Sequence, residues 1–257
     1  MSEQVADGDP LLTIVIPTRD EAGSIRPLLA QVDASLADIE QAYEVLVVDD
    51  SSDDTAKIAM QMRHQLRASV RVLHREPAAR TGSLAGAVRE ALPYARGKWI
   101  AVMDADLQHP PRVLASLLAI GESGQYDVVI ASRYAPSGDA KGLASPYRRI
   151  VSIVATAFAR RQLPGRLAHV TDPLSGFFLI RKCRMQIDLL SGLRGFKALF
   201  EILMTHTNLE VVEVPYSFDR RIAGRSKASL NIGVHFLVRA VGLRVRPRRS
   251  RSRGQRS

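Results

Sequence analysis

Lys-Trp-Ile-Ala-Val-Met-Asp-Ala-Asp-Leu-Gln-His, residues 98–109, is an apolar run that breaks into carboxylates. Residues 99–103 are apolar without alternation and rich in strand formers, the pattern of a strand buried on both faces of a sheet. Side chains of an extended segment repeat every two residues. Asp104, Asp106 and, with continued extension, Gln108 are therefore expected on one side just past the strand end. Such oxygen ligands suit a hard cation, Mg²⁺ or Mn²⁺, with substrate phosphates completing the shell. Taken alone, an Asp-x-Asp after a strand serves equally well as a turn that caps the next helix. The rest of the chain has to decide.

Working outward, the same strand-to-polar transition recurs. Residues 11–17 and 43–48 are apolar runs, the first stopped by Pro17 and the second ending in Asp49 and Asp50. Residues 70–74, 127–132, 177–180 and 210–216 are further strand candidates. Between them lie helical patterns: residues 24–36, a run from 55 towards 66, one opened by Gly82, one launched by Pro110 and Pro111, residues 146–163 and residues 197–207. Alternating strands and helices predict an α/β fold with a mostly parallel, doubly wound sheet, and ligands of such sheets bind outside the carboxyl ends of the strands. Residues 17–21, Asp49 with Asp50, and residues 104–108 would meet there.

At 257 residues, with 46% hydrophobic and 24% charged residues, the chain suits one large globular domain. No Pro/Gly/Ser-rich linker divides it before residue 222. The single cysteine, Cys183, rules out an intrachain disulfide and fits a reducing compartment. No secretory leader pattern opens the sequence, and no apolar run nears the roughly 18 residues that span a bilayer. The expectation is a soluble or peripheral protein. Of the formal charge of +10, seven arginines between Arg244 and Arg256 carry most, leaving +3 for the rest. That basic run is disordered by composition and suits an anionic lipid surface or nucleic acid. Only 5% of residues are aromatic and none interleaves with the tail, which argues against nucleic acid. A helix over residues 228–243 carries a broad apolar stripe just before the tail, a second candidate for the membrane surface.

The ordered set Ile-Pro-Thr-Arg-Asp-Glu (16–21), Val-Val-Asp-Asp-Ser-Ser (47–52), Met-Asp-Ala-Asp-Leu-Gln-His-Pro (103–110), Ala-Ser-Arg-Tyr (131–134), Thr-Asp-Pro-Leu-Ser-Gly-Phe-Phe (171–178), Glu-Val-Pro-Tyr-Ser-Phe (213–218) and Arg-Arg-Ile-Ala-Gly-Arg-Ser-Lys (220–227) resembles the inverting family-2 glycosyltransferases. Within them it is most similar to the dolichol-phosphate (polyprenyl-phosphate) mannosyltransferases. The resemblance implies a GT-A Rossmann-like domain over residues 11–227, after a flexible segment of residues 1–10 and before the amphipathic helix and the tail of residues 244–257. It also implies a site. Pro17, Arg19, Glu21, Val48 and Asp50 would hold the nucleoside. Asp104, Ala105, Asp106 and Gln108 would hold the metal, Mg²⁺ or Mn²⁺, and the diphosphate. Arg133, Arg148, Arg221 and Lys227 would bind the phosphates of donor and acceptor. The sequence departs from the family where Arg19 replaces an aromatic residue, Asp20 replaces Asn and Ser51 replaces Gly.

By this resemblance the reaction is transfer of mannose from GDP-mannose to a polyprenyl phosphate, with inversion, at the cytoplasmic face of the membrane. A separate small membrane protein is a further possible partner. Loss of a nucleoside diphosphate builds negative charge that a divalent cation and fixed arginines stabilise. A phosphate acceptor, with a second pKa of about 6, is already anionic and needs no base, whereas a hydroxyl acceptor requires one. Asp172 and Glu201 are the candidate bases for that second case. A UDP-hexose donor and a basic nucleic-acid-binding protein are the alternatives to the GDP-mannose reading.

Overall fold

The computed structural model describes residues 9–77, 80, 84–140, 142, 146–186, 197–206 and 208–219. Most of the N-terminal segment, the helix expected over 228–243 and the Arg-rich tail lie outside the described residues.

The apolar runs form the strands. They are β1 (Leu12–Thr18), β2 (Tyr43–Asp49), β3 (Ser69–His74), β4 (Trp99–Val102), β5 (Val128–Ser132), β6 (Phe178–Arg181) and β7 (Val211–Pro215). Between them run α1 (Ile25–Ser35), α2 (Thr55–Met62), α3 (Leu84–Ala91), α4 (Val113–Glu122), α5 (Pro146–Gln162) and α6 (Ala198–Thr205). The strands make one sheet in the order β3-β2-β1-β4-β6-β5-β7. All pairings are parallel except those of β6, which runs antiparallel to both β4 and β5. This is the expected doubly wound α/β sheet with one reversed strand.

Strand periodicity divides the core into layers. Ile14, Ile16, Val45, Val47 and Ala101 face α1, α2 and α4, while Val15, Leu46, Val48, Ile100 and Val102 face α3, α5 and α6. Trp99, Phe177, Phe178 and Phe200 are among the largest fully buried side chains. Each such burial contributes on the order of 1.5–3 kcal/mol.

Pro17 does not stop β1, which runs on to Thr18. The Val15 carbonyl faces β4, accepting from the Met103 N–H at 3.2 Å, and alternation turns the Pro17 nitrogen the same way. The β1–β4 ladder has already ended at Val15 and Val102, so the missing N–H breaks no bond.

At the opposite edge, Glu44 at the start of β2 is a buried carboxylate inside a ring of donors. It accepts from Thr13 Oγ1 at 2.8 Å, the Arg96 backbone N–H at 2.9 Å, Arg96 Nη2 at 2.8 Å and Arg71 Nη1 at 3.2 Å. Burial opposes its charge, but the Arg96 and Thr13 donors outweigh that and hold its carboxyl below the usual range.

Helix α5 is amphipathic in an unusual sense. Ala155, Phe158 and Ala159 pack on the core, yet Ile150 and Val154 are 61% and 62% exposed, and Val151 and Ile153 also face solvent. Arg149, Arg160 and Arg161 are exposed at its two ends. Among the described residues no helix is long and apolar enough to cross a membrane.

Candidate active site

The carboxyl ends of β1, β2 and β4 share one edge because these strands are parallel. After β1, Asp20 takes a left-handed conformation (φ 52°) and links two loops. Its backbone N–H donates to Ser51 Oγ at 2.8 Å, and its carboxylate accepts from the Ser52 N–H at 2.9 Å. Glu21 donates its N–H to Thr55 Oγ1 at 2.9 Å and accepts from Ser24 Oγ at 2.8 Å. Asp49 is fully buried, accepts from Thr18 Oγ1 at 2.7 Å and Ser51 Oγ at 2.5 Å, and meets His74 Nδ1 at 2.8 Å. These bonds fix the loops that carry the expected nucleoside contacts.

Asp50 meets Arg75 in a forked pair, Nε at 2.7 Å with Nη2 closing the second arm, and Arg80 Nε lies 3.7 Å away. Arg75 is itself buried and reaches Glu90 at 3.3 Å. Pro17 is half-buried and Arg19 exposed at this edge, whereas the side chains of Val48 and Ala105 are buried in the core. Val48 and Ala105 can therefore serve a ligand only through their backbone.

The Asp-x-Asp cluster forms differently from the sequence expectation. Strand β4 ends at Val102, and the alternation does not continue to Gln108. Instead the chain turns, with Asp106 Oδ1 accepting from the Gln108 N–H at 3.1 Å and Leu107 at φ 61°. The local carboxylate–amide bond competes with extension and wins. Gln108 Nε2 donates to the carbonyls of Gly142 and Asp219, each at 3.3 Å, tying the cluster to two distant loops. Asp104 lies beside His109, Oδ2 to Nε2 at 3.4 Å. Among the described residues no group of three or more His, Cys, Asp and Glu side chains could hold a metal ion. Two carboxylates with the Gln108 amide oxygen are still a fitting donor set for Mg²⁺ or Mn²⁺, whose remaining positions go to phosphate and water.

On the other side of the cluster, Arg133 follows β5 and is buried against Asp172, with Nε to Oδ2 and Nη2 to Oδ1 both at 2.8 Å. Burial alone would weaken the guanidinium's charge, but Asp172 outweighs it and holds Arg133 above its usual range. The Arg133 guanidinium also stacks over Phe218 at 5.5 Å and Tyr134 at 5.4 Å. Asp172 is oriented by the next layer, its N–H and that of Thr171 both donating to Glu213 at 2.8 Å. Asp172 is thus an ion-pair partner rather than a base aimed at solvent, and Glu201 is buried within α6. Of Arg148 only the backbone, in the first turn of α5, is described; Arg221 and Lys227 lie outside the described residues.

Lys197 is the cation that sequence reasoning overlooked. It lines a small cleft with Asp104, Ser175 and Gly176. Crowding by surrounding atoms pushes its ammonium below the usual range, with Arg133 adding to the effect and Asp104, Asp172 and Asp106 opposing it. A lysine directly before an apolar helix was the only available signal.

The site is thus a doubly wound sheet with an Asp-x-Asp turn at the carboxyl end of β4 and with Arg133 and Lys197 beside it. The chain belongs to glycosyl transferase family 2, whose sequence model matches residues 13–184.

Among its relatives, the dolichol-phosphate mannosyltransferase of Pyrococcus furiosus is 35% identical over 84% of this chain and 58% of its own length. The chain thus spans little more than half of that relative. The dolichol-phosphate mannosyltransferases of Mycosarcoma maydis and Saccharomyces cerevisiae are 30% and 28% identical, over 91% and 88% of this chain and 79% and 84% of their own. In architecture the chain is similar to mannosyl-3-phosphoglycerate synthase from Rubrobacter xylanophilus (TM-score 0.62, 20% identity, 92% of this chain and 74% of that one). It is also similar to glucosyl-3-phosphoglycerate synthase from Mycobacterium tuberculosis, solved with Mn²⁺, UDP and glucosyl-3-phosphoglycerate (TM-score 0.63, 19% identity, 93% of this chain and 81% of that one). At those identities the likeness establishes the GT-A fold.

Proposed function

We propose that the protein transfers mannose from GDP-mannose to a polyprenyl phosphate, with a divalent cation and with inversion, while attached to the inner face of a membrane. The observation that carries this reading is the state of Asp172. Asp172, one of the two candidate bases for a hydroxyl acceptor, is held in both arms by Arg133. A lipid phosphate arrives already anionic, so the site needs cations to bring two anions together rather than a base. The names of the curated relatives support the same acceptor and sugar.

In this reading Asp104, Asp106 and Gln108 hold Mg²⁺ or Mn²⁺, which when bound neutralises charge on the donor diphosphate. Pro17, Arg19, Glu21, Asp50 and the backbone of Val48 cradle the nucleoside, and the backbone of Ala105 lies along the diphosphate. Arg133, Arg148, Arg221 and Lys227 receive the phosphates, where fixed cations stabilise charge without reorganising during the reaction. An acceptor phosphate oxygen forms a bond to the anomeric carbon as the bond to the leaving diphosphate breaks. One displacement inverts that centre.

Attachment is supported by the exposed apolar face of α5 between its terminal arginines. The 228–243 segment, the tail and a small membrane partner are further candidates for it. A UDP-hexose donor is the second reading, since Arg19 and Asp20, exposed at the rim, stand where the family pattern differs and bear on base preference.

The deciding experiment follows radiolabelled sugar from GDP-mannose, and in parallel from UDP-sugars, into an organic-extractable lipid. Label from GDP-mannose that requires added metal and vanishes in Asp106→Ala is the expected result. Label from a UDP-sugar alone replaces the donor, and no label from either overturns the transferase reading of this site.

A further inference from the structure

His109 sits between the metal-binding turn and an aromatic cage. It is 2% exposed, with Phe218, Phe177 and Tyr216 ring centroids at 5.2, 5.5 and 5.8 Å. A buried imidazole in such surroundings needs partners on both nitrogens. Nδ1 meets the Tyr216 hydroxyl at 2.8 Å, and Nε2 faces Asp104 Oδ2 across 3.4 Å.

The direction of the chain of bonds follows from chemistry. The Asp104 carboxylate facing Nε2 can only accept, so in the neutral imidazole Nδ1 is the acceptor and the Tyr216 O–H donates into it. That leaves the ring proton on Nε2, pointing at the Asp104 carboxylate. Tyr216 is itself anchored, its N–H donating at 3.1 Å to the carbonyl of Ser132, the last residue of β5. A Cβ at Gly176 would come 3.2 Å from His109 Nε2 and 2.7 Å from Asp104 Oδ2, so the chain keeps this corner clear for the pair.

We propose that His109 is a positioning residue for Asp104, held in its working tautomer by Tyr216, so that the segment after β7 sets the geometry of the cation site after β4. The assignment rests on the reading of Asp104 as a metal ligand. Partners of this kind, one bond removed from the metal, change affinity or activity by about 10- to 100-fold when removed. A histidine that merely filled the aromatic cage would leave cation affinity untouched.

The test is direct Mn²⁺ binding to the full chain with GDP present, and in parallel with UDP, followed by the electron paramagnetic resonance of free Mn²⁺. Tyr216→Phe, which keeps the ring and removes the donor, is expected to weaken Mn²⁺ about 10-fold or more with little change in melting temperature. His109→Leu is expected to do the same, and His109→Gln, whose amide N–H can reach towards Asp104, to recover part of the loss. Mn²⁺ affinities of Tyr216→Phe and His109→Leu equal to wild type would overturn the assignment. Wild type that binds no Mn²⁺ with either nucleotide fails earlier, overturning the metal reading and this inference with it.

Discussion

Gly176 and Asp104 are in contact distance across the site: a Cβ on residue 176 would lie 2.7 Å from Asp104 Oδ2, closer than real atoms pack. The displaced atom is a carboxylate tip, so the fold can yield but the ligand geometry cannot. Gly176→Ala is expected to lower kcat between about 10- and 100-fold while the melting temperature stays within a few degrees. Steady-state kinetics and calorimetry on the same preparation check it.

The Arg133–Asp172 pair separates stability from function. Removing either partner leaves a buried charge uncompensated, which costs about 3–5 kcal/mol, so Arg133→Met and Asp172→Leu should each unfold at much lower urea. The double variant Arg133→Met with Asp172→Leu should regain most of that stability and none of the transferase activity. Recovery of activity in the double variant would mean that Arg133 does not handle phosphate.

Lys197→Met keeps the length of the side chain and removes its charge beside Asp104. Losing one fixed electrostatic group from a catalytic site lowers kcat by roughly 100- to 1,000-fold. The expected signature is a fall in kcat with nucleotide affinity nearly unchanged, read from turnover together with equilibrium binding of GDP.

Glu44 gives the fold a defined acid sensitivity. Its carboxyl is held below the ordinary value of 4.5 in the folded chain, so folding favours the ionised form. That contribution is complete above the unfolded pKa and is lost as pH falls through the lower folded one. Urea denaturation below pH 4.5 should therefore show a flatter decline of stability with pH for Glu44→Gln than for wild type. Donor binding, on the opposite edge of the sheet, should not change at neutral pH.

Ile150 and Val154 are more than half exposed, so their replacement leaves the core intact. If α5 lies on a bilayer, Ile150→Ser with Val154→Ser should weaken binding to anionic vesicles by about 10-fold or more, given roughly 1.5–3 kcal/mol for a fully buried aliphatic side chain. Unchanged co-sedimentation with vesicles would remove this helix from the membrane contact.

The apolar runs were legible because strands buried on both faces must be almost wholly hydrophobic, and their polar ends marked the edge that carries the site. Local chemistry was less legible. The turn at Asp106 depends on a side-chain bond to the Gln108 N–H that competes with the two-residue repeat on which the sequence reading relied. Individual side-chain pairs between distant segments were not legible. Asp172 meets Arg133 only because β6 reverses between β4 and β5, and Tyr216 meets His109 only because β7 pairs with β5. Lys197 carried no pattern of its own beyond standing before a helix.

The reversal of β6 has an architectural consequence. An antiparallel strand set into a parallel sheet starts at the edge where its neighbours finish, so the loop from α5 into β6 delivers Asp172 and Gly176 to the edge where β4 and β5 end. The strand is a seam: on one flank stand β1, β2 and β4 with the carboxylates Asp49, Asp50, Asp104 and Asp106 at their ends, on the other β5 and β7 with Arg133 and Tyr216. Under the proposed function, substitutions on the β5–β7 flank would alter the handling of the acceptor more than the binding of the nucleoside.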